Sequence, residues 1–196
     1  MAIRLDYEYI EKHIPEKSRV LDLGCGDGKL LHELIREKEI DGRGIEIDEN
    51  SVRQCIEKGV PVYHGDMQEG MKMFQEKSFD CVILSQTLQQ TLKPKEVMHE
   101  MLRVGKRAIV SFPNFGHWSI RLRLLLTGRA PVTPILPYSW YDTPNVKILT
   151  IKDFMSFCAE QNFKIVGKRF FSKNFIPCPA FGANFFSSIA IFNLEN

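Results

Sequence analysis

Residues 20–28, Val-Leu-Asp-Leu-Gly-Cys-Gly-Asp-Gly, are where ligand chemistry is expected in this chain. Val20 to Leu23 reads as a short apolar strand, and Gly24, Gly26 and Gly28 as a turn. Leu30, Leu31, Leu34 and Ile35 then mark one face of a helix. A turn this tight, with a backbone that a ligand can approach closely, needs residues without a Cβ that tolerate positive φ. Strand, glycine turn and helix N-terminus together make the first unit of a nucleotide-type α/β site. A dinucleotide fingerprint would be G-x-G-x-x-G, but the third glycine comes one residue early and Lys29 stands in its place. Asp22 and Asp27 make the loop acidic, which suits a cationic ligand better than a pyrophosphate.

Three further clusters sit at the ends of later apolar runs. Gly44-Ile45-Glu46-Ile47-Asp48 brings carboxylates about 20 residues after the first glycines, the spacing at which an acid accepts from ribose hydroxyls. Glu46 is the ribose candidate and Asp48 its substitute if the register slips; the alternative is a solvated charge at a strand end. In Gly65-Asp66-Met67, Asp66 can accept from an adenine amine while Met67 packs on the ring, or Asp66 is simply a helix N-cap. Ser85, Gln86 and Thr87 follow the fourth apolar run.

Residues 20–28 resemble motif I of the class I S-adenosylmethionine (SAM) methyltransferases, whose ligand carries a sulfonium and an ammonium group. That resemblance makes SAM the expected cofactor and gives Asp22, Gly24, Cys25, Gly26, Glu46, Ile47, Asp66, Met67 and Ser85 as its candidate binding residues. No Asn/Asp-Pro-Pro-Tyr-like motif follows the fourth strand, so base N-methylation is not expected, and no acid there could hold a metal. Pro177-Cys178-Pro179 lies far from that strand end and reads as an ordinary loop cysteine. No catalytic residue is fixed by pattern. His117, Tyr141 and Asp142 are the polar groups best placed to reach a pocket, with His117 either a general base or an exposed or helix-capping residue. Arg121, Arg123 and Arg129 could clamp a carboxylate or form the solvated side of a helix. The five histidines lack metal-ligand spacing, so no metal is expected.

The elements that must position these groups alternate between strand and helix, the pattern of a mostly parallel sheet covered on both faces. Strands are expected at 19–23, 42–47, 60–64, 79–84 and 107–112, with helices at 29–37, 49–57 and 95–103 and a short helix or turn at 67–73 between them. Thr150 with Asp153 makes a capping box for a helix running to about Glu160. Runs at 163–170 and 187–194 complete seven strands as an antiparallel closing pair. The expected fold is thus a single-domain, Rossmann-like α/β unit over 1–196. Residues 113–149 break the rhythm with five prolines around the Arg/Leu-rich stretch Trp118–Leu126, and an insert there should cover the carboxyl ends of the strands. A second irregular stretch, 172–186, is expected along the surface.

At 196 residues, 44% hydrophobic and 26% charged, the chain has the composition of an ordinary globular domain. A formal charge of +2 without a basic stripe argues against nucleic acid or membrane surfaces as partners. Five cysteines without C-x-x-C or paired spacing point to reduced thiols. With no apolar signal core at the start and no membrane-length apolar run, a cytoplasmic location is expected.

Beyond motif I, the chain resembles the methionine biosynthesis protein MetW family along nearly its whole length. The resemblance rests on residues 19–28 and 44–48, on Val-Ile-Leu-Ser-Gln-Thr-Leu-Gln (82–89) and on Glu-Met-Leu-Arg-Val-Gly (100–105). It continues in Ser-Phe-Pro-Asn-Phe-Gly-His-Trp (111–118), Gly-Arg-Ala-Pro-Val-Thr (128–133) and Trp-Tyr-Asp-Thr-Pro-Asn (140–145). The family implies a SAM-methyltransferase fold, a role in methionine biosynthesis and association with the homoserine O-acyltransferase MetX. It supplies no catalytic base to carry onto a named residue. Two functions follow: an enzyme that methylates a small molecule beneath the insert, or a non-catalytic SAM-sensing subunit of the acyltransferase. In the second, Trp118, Leu122, Leu125 and Leu126, at helical spacing, would form a docking face; the alternative is core or lid.

Overall fold

Alternation within each strand divides the interior into two layers, one on either side of a seven-stranded sheet. The structure, a computed structural model, describes residues 5–133, 136–172 and 176–196, apart from the Leu5 side chain. Pro134 and residues 173–175, which belong to the two irregular stretches, lie outside the described residues. The strands are β1 (Arg19–Leu23), β2 (Asp41–Glu46), β3 (Val62–His64), β4 (Phe79–Ser85), β5 (Gly105–Pro113), β6 (Lys164–Phe171) and β7 (Ile189–Glu195). Their order is β3-β2-β1-β4-β5-β7-β6. β7 runs antiparallel to both its neighbours, and the pairs from β3 to β5 are parallel, so the sheet is mixed at one edge.

The central strands β1 and β4 are buried on both faces and therefore read as near-continuous apolar runs. Leu21, Leu23, Val82, Leu84, Val110 and Phe112 point to one layer. Helices α5 (Pro94–Val104) and α7 (Ile151–Glu160) close that layer, through Met98, Met101 and Leu102 on the first and Phe154 and Cys158 on the second. Val20, Cys81, Ile83 and Ile109 point the other way, against Leu30, Leu31 and Leu34 of α2 (Lys29–Lys38) and Cys55 of α3 (Glu49–Glu57). The shorter α4 (Met67–Lys72) contributes Met71 to the first layer.

Three helical elements go beyond the sequence expectation, one of them a short helix at Ala183–Phe186 within the second irregular stretch. α1 (Leu5–His13) lies in the second layer, with Ile10 and Ile14, just past its end, fully buried. Its Asp6 carboxylate accepts from Ser85 Oγ at 2.5 Å and from Ser111 Oγ at 3.2 Å, which docks the helix against the carboxyl ends of β4 and β5. A 3-10 turn at Leu88–Gln90 follows β4. The Thr150 capping box forms as expected: the Thr150 hydroxyl accepts from the Asp153 N–H while the Asp153 carboxylate accepts from the Thr150 N–H.

The insert is tied down at both ends. Asn114, fully buried, donates from Nδ2 to the carbonyls of Asn184 and Ser187, and its Oδ1 accepts from the N–H groups of Gly116 and Ile151. One side chain thus joins the start of the insert, the start of α7 and α8 (Ala183–Phe186). At the far end, the Val146 and Lys147 N–H groups both donate to the carbonyl of Gln89. Between these anchors α6 (Trp118–Thr127) runs outward, with every residue from 121 to 130 exposed.

Candidate functional site

The carboxyl ends of β1, β2, β3 and β4 surround an open cleft of about 580 Å³, a volume typical of small-molecule sites. The floor is the glycine turn. Gly24 and Cys25 both donate their N–H to the carbonyl of Ile45, binding the turn to β2 at 2.8 and 3.2 Å. Gly24, Gly26 and Gly28 all have positive φ, the left-handed conformation that the alternate-glycine pattern demands. Gly28 also packs tightly: a Cβ there would lie 2.8 Å from Cys55 Sγ.

Glu46 ends β2 with its carboxylate folded back over this turn. Oε2 accepts the Gly26 N–H at 2.8 Å, and Oε1 accepts the N–H groups of Ile47 and Asp48 at 2.7 and 2.9 Å. Asp48, the alternative ribose candidate, is committed elsewhere: it caps α3 through Ser51. Those bonds, the Ser51 N–H first, hold its pKa below the usual carboxylate value. Asp66 caps α4, with the N–H groups of Gln68 and Glu69 both on Oδ1. It nevertheless lines the cleft beside Met67. Of the two roles that the sequence left open for Asp66, the helix cap is formed, and the residue stays at the cleft wall.

The opposite wall comes from the β4 end and the 3-10 turn: Ser85, Gln86, Thr87, Gln90, Thr91 and Leu92. A Cβ on Gly24 would meet Thr87 Cγ2 at 2.9 Å, so this wall stands close against the floor of the cleft here. Gln86 has φ 56, a conformation that costs a non-glycine residue of order 1 kcal/mol. It is held by its N–H to the Ser111 carbonyl, by its amide to the Ser111 hydroxyl, and by Gln89, which donates to its carbonyl.

Of the candidate binding residues, Gly24, Glu46, Ile47, Asp66, Met67 and Ser85 line the cleft, and Asp22, Cys25 and Gly26 do not. Asp22 is buried two residues before Gly24 in β1. The Cys25 side chain turns into the α2–α3 layer, 3.8 Å from Cys55 Sγ, where burial first, then nearby Asp22, pushes its thiol pKa far up. Gly26 meets the cleft only through its bond to Glu46. The charge of Asp27, read from sequence as part of an acidic loop, is matched by Lys58, whose ammonium donates to its carboxylate at 2.9 Å and to its carbonyl at 2.6 Å. Burial works against that carboxylate, yet the Lys58 and Lys29 N–H bonds keep its pKa below the ordinary value.

None of His117, Tyr141 and Asp142 lines the cleft. His117 is the N-cap of α6: its Nδ1 accepts from the Ser119 N–H, and burial pushes its pKa down. Tyr141 and Asp142 are exposed on the insert. The residues that sequence reasoning missed are Gln68, Gln90, Thr91, Leu92 and Asp6. Gln90, Thr91 and Leu92 lie on or just after a short turn that carries no periodic signal, Gln68 is a polar residue in the first turn of α4, and Asp6 lies on a helix whose buried apolar positions number too few to stand out.

Comparison with known proteins follows this geometry. The chain is 34% identical over 174 residues to a curated protein of Rhodopirellula baltica, the bifunctional methionine biosynthesis protein MetXA/MetW. The match covers 84% of this chain and 28% of that protein, so the chain corresponds to about a quarter of its relative. Among solved structures, a SAM-dependent methyltransferase from Archaeoglobus fulgidus superposes with a TM-score of 0.72 at 18% identity, covering 98% of this chain and 93% of the other. A TehB-like SAM-dependent methyltransferase from Corynebacterium glutamicum gives 0.64 at 14%, covering 100% and 89%. The [4+2]-cyclase SpnF gives 0.68 at 16%, covering 98% and 80%. These likenesses establish the methyltransferase fold, and the cyclase among them shows that the fold alone names no reaction. The family described as methionine biosynthesis protein MetW matches residues 4–194, and the chain belongs to it.

Proposed function

We propose that the cleft binds SAM and that the chain serves methionine biosynthesis as a SAM-responsive partner of homoserine O-acyltransferase. The observation that carries the ligand is the charge of the cleft. Its described lining includes two carboxylates, Glu46 and Asp66, and no Lys, Arg or His. Such a lining suits an adenosyl sulfonium and opposes a pyrophosphate. Glu46 is placed to take the ribose hydroxyls. Ile47, 67% exposed although apolar, and Met67 offer flat apolar surface for the adenine. Both cap bonds of Asp66 fall on Oδ1, which leaves its second oxygen for the adenine amine. The methionyl end then lies toward Gly24 and Ser85.

The partner rests on the Rhodopirellula relative, whose name joins MetXA and MetW in one chain. SAM lies downstream of methionine, so a bound SAM would report pathway output to the enzyme that activates homoserine. The position of the three catalytic candidates off the cleft favours this reading over methyl transfer.

Methyl transfer to a small molecule is the second reading, and one observation speaks for it. Gln86 holds a strained backbone at the β4 end, beside Ser85 and its buried partner Asp6. Strain of this kind concentrates at functional sites. The deciding assay measures acyl transfer by the homoserine acyltransferase of the same organism alone, with this chain, and with chain plus SAM. A rate altered by the chain and shifted again by SAM, without formation of S-adenosylhomocysteine, supports the partner reading. A rate indifferent to both contradicts it.

A further inference from the structure

The sequence left the leucines of α6 as core, lid or docking face; the structure takes them out of the core, and none of them lines the cleft. Of that helix only Ile120 is buried. Leu122, Leu124, Leu125 and Leu126 are 43%, 52%, 81% and 72% exposed, and Trp118 is 42% exposed. Arg121 of α6 brings a second exposed apolar group, the segment around α8, beside this helix. The Arg121 guanidinium lies 5.6 Å from the Phe185 ring centroid, and the Asn114 amide binds the carbonyls of Asn184 and Ser187. There Phe181, Phe185 and Phe186 are 95%, 43% and 57% exposed. Single exposed apolar residues are ordinary, but two neighbouring elements that each expose several large apolar side chains mark an interaction surface.

The charge around this surface selects its partner. Neither 101–141 nor 161–194 contains a single Asp or Glu, while Arg121, Arg123 and Arg129 lie on or just after α6. Aromatic side chains and arginine are the types enriched at protein interfaces. A partner must therefore offer an apolar surface rimmed by carboxylates.

We infer that α6 and the Phe181–Phe186 segment form the face by which this chain docks on the homoserine acyltransferase, with an acid-rimmed apolar patch of that enzyme as occupant. The inference rests on the partnership proposed above. The covalent joining of the two activities in the Rhodopirellula relative supplies the partner, and the exposed leucine and phenylalanine surface supplies the place.

The test titrates the full chain against the separately expressed acyltransferase of the same organism by calorimetry, at two salt concentrations. Leu125→Asp and Phe181→Ser alter the face. Ile56→Asp serves as control, since Ile56 is 65% exposed on α3, on the opposite side of the sheet from the layer that α8 joins. All four proteins are first compared by thermal melting. The expected result is binding by the wild type, weakened by salt, with the two face variants at least about 30-fold weaker and the control unchanged. Wild-type binding that survives both substitutions overturns the surface while leaving the partnership intact. No wild-type binding overturns the partnership itself. Self-association of the chain that Leu125→Asp abolishes would make a second copy the occupant and overturn the inference.

Discussion

The carboxylate of Glu46 accepts the backbone N–H of Gly26 at 2.8 Å, closing the glycine turn of β1 onto the end of β2. The two residues are 20 positions apart, the spacing at which a strand-end acid meets the ribose in nucleotide folds, so here the same carboxylate also ties down the turn. One oxygen fixes the turn, and the other organises the first N–H groups beyond the strand. Glu46 is thus a structural clasp as well as the ribose candidate. Glu46→Gln keeps the shape but removes the charge and one acceptor. SAM affinity is expected to fall about 10- to 100-fold, the scale of a charged hydrogen bond, with thermal stability lowered only modestly. Calorimetry and a melting curve check the two parts separately.

The glycines make distinct demands. Gly26→Ala meets no atom within 4 Å, so its cost is the left-handed backbone alone, about 1 kcal/mol. Gly28→Ala carries the same backbone cost and also drives its Cβ to 2.8 Å from Cys55 Sγ. Urea denaturation should rank Gly28→Ala as the more damaging change. Adding Cys55→Ala should recover part of the difference, as coupled neighbours do. Equal costs for the two glycines would contradict the packing described.

The cysteines sort by burial. Cys25 and Cys55 are buried against each other, and burial first among several causes raises both thiol pKa values. Cys81 and Cys158 are buried too, each pushed up to about 12. Cys178 alone is partly exposed. Brief treatment of the folded protein with iodoacetamide should label Cys178 and spare the other four, while the unfolded protein should take five labels by mass. Rapid labelling of Cys25 in the folded state would contradict the placement of its side chain.

His117 gives the stability a pH dependence of known sign. Burial lowers its folded-state pKa beneath the unfolded value of about 6.5, so below that pH the unfolded chain binds the proton more readily. Its contribution to stability is complete above the unfolded pKa and declines as pH falls through the folded one. His117→Asn retains an acceptor for capping α6 and should flatten the melting temperature across this window. An unchanged slope would assign the pH dependence to other groups.

Much of this site was legible from residue chemistry. The glycine turn, the Glu46 position and the Asp66 cap each follow from a local rule, because backbone conformation and helix termini restrict the residue types that fit. Cover on both faces of the sheet was legible through the succession of strands and helices along the chain and the near-continuous apolar run of β4. The opposite wall was not, because a 3-10 turn of three residues at 88–90 has no period to read. Asp6 and Asn114 were hidden for a related reason. Each is a polar residue whose importance lies in long-range bonds, to Ser85 and Ser111 in the first case and to 184–187 in the second. The fate of the α6 leucines was equally undecided in sequence, since helical spacing is the same for a stripe that faces core and one that faces a partner.

Isothermal titration calorimetry with SAM, S-adenosylhomocysteine and NAD tests the central claim most directly. The charge and lining of the cleft predict stoichiometric binding of the first two and none of NAD. A folded protein that binds neither SAM nor S-adenosylhomocysteine, or that prefers NAD, would contradict the account.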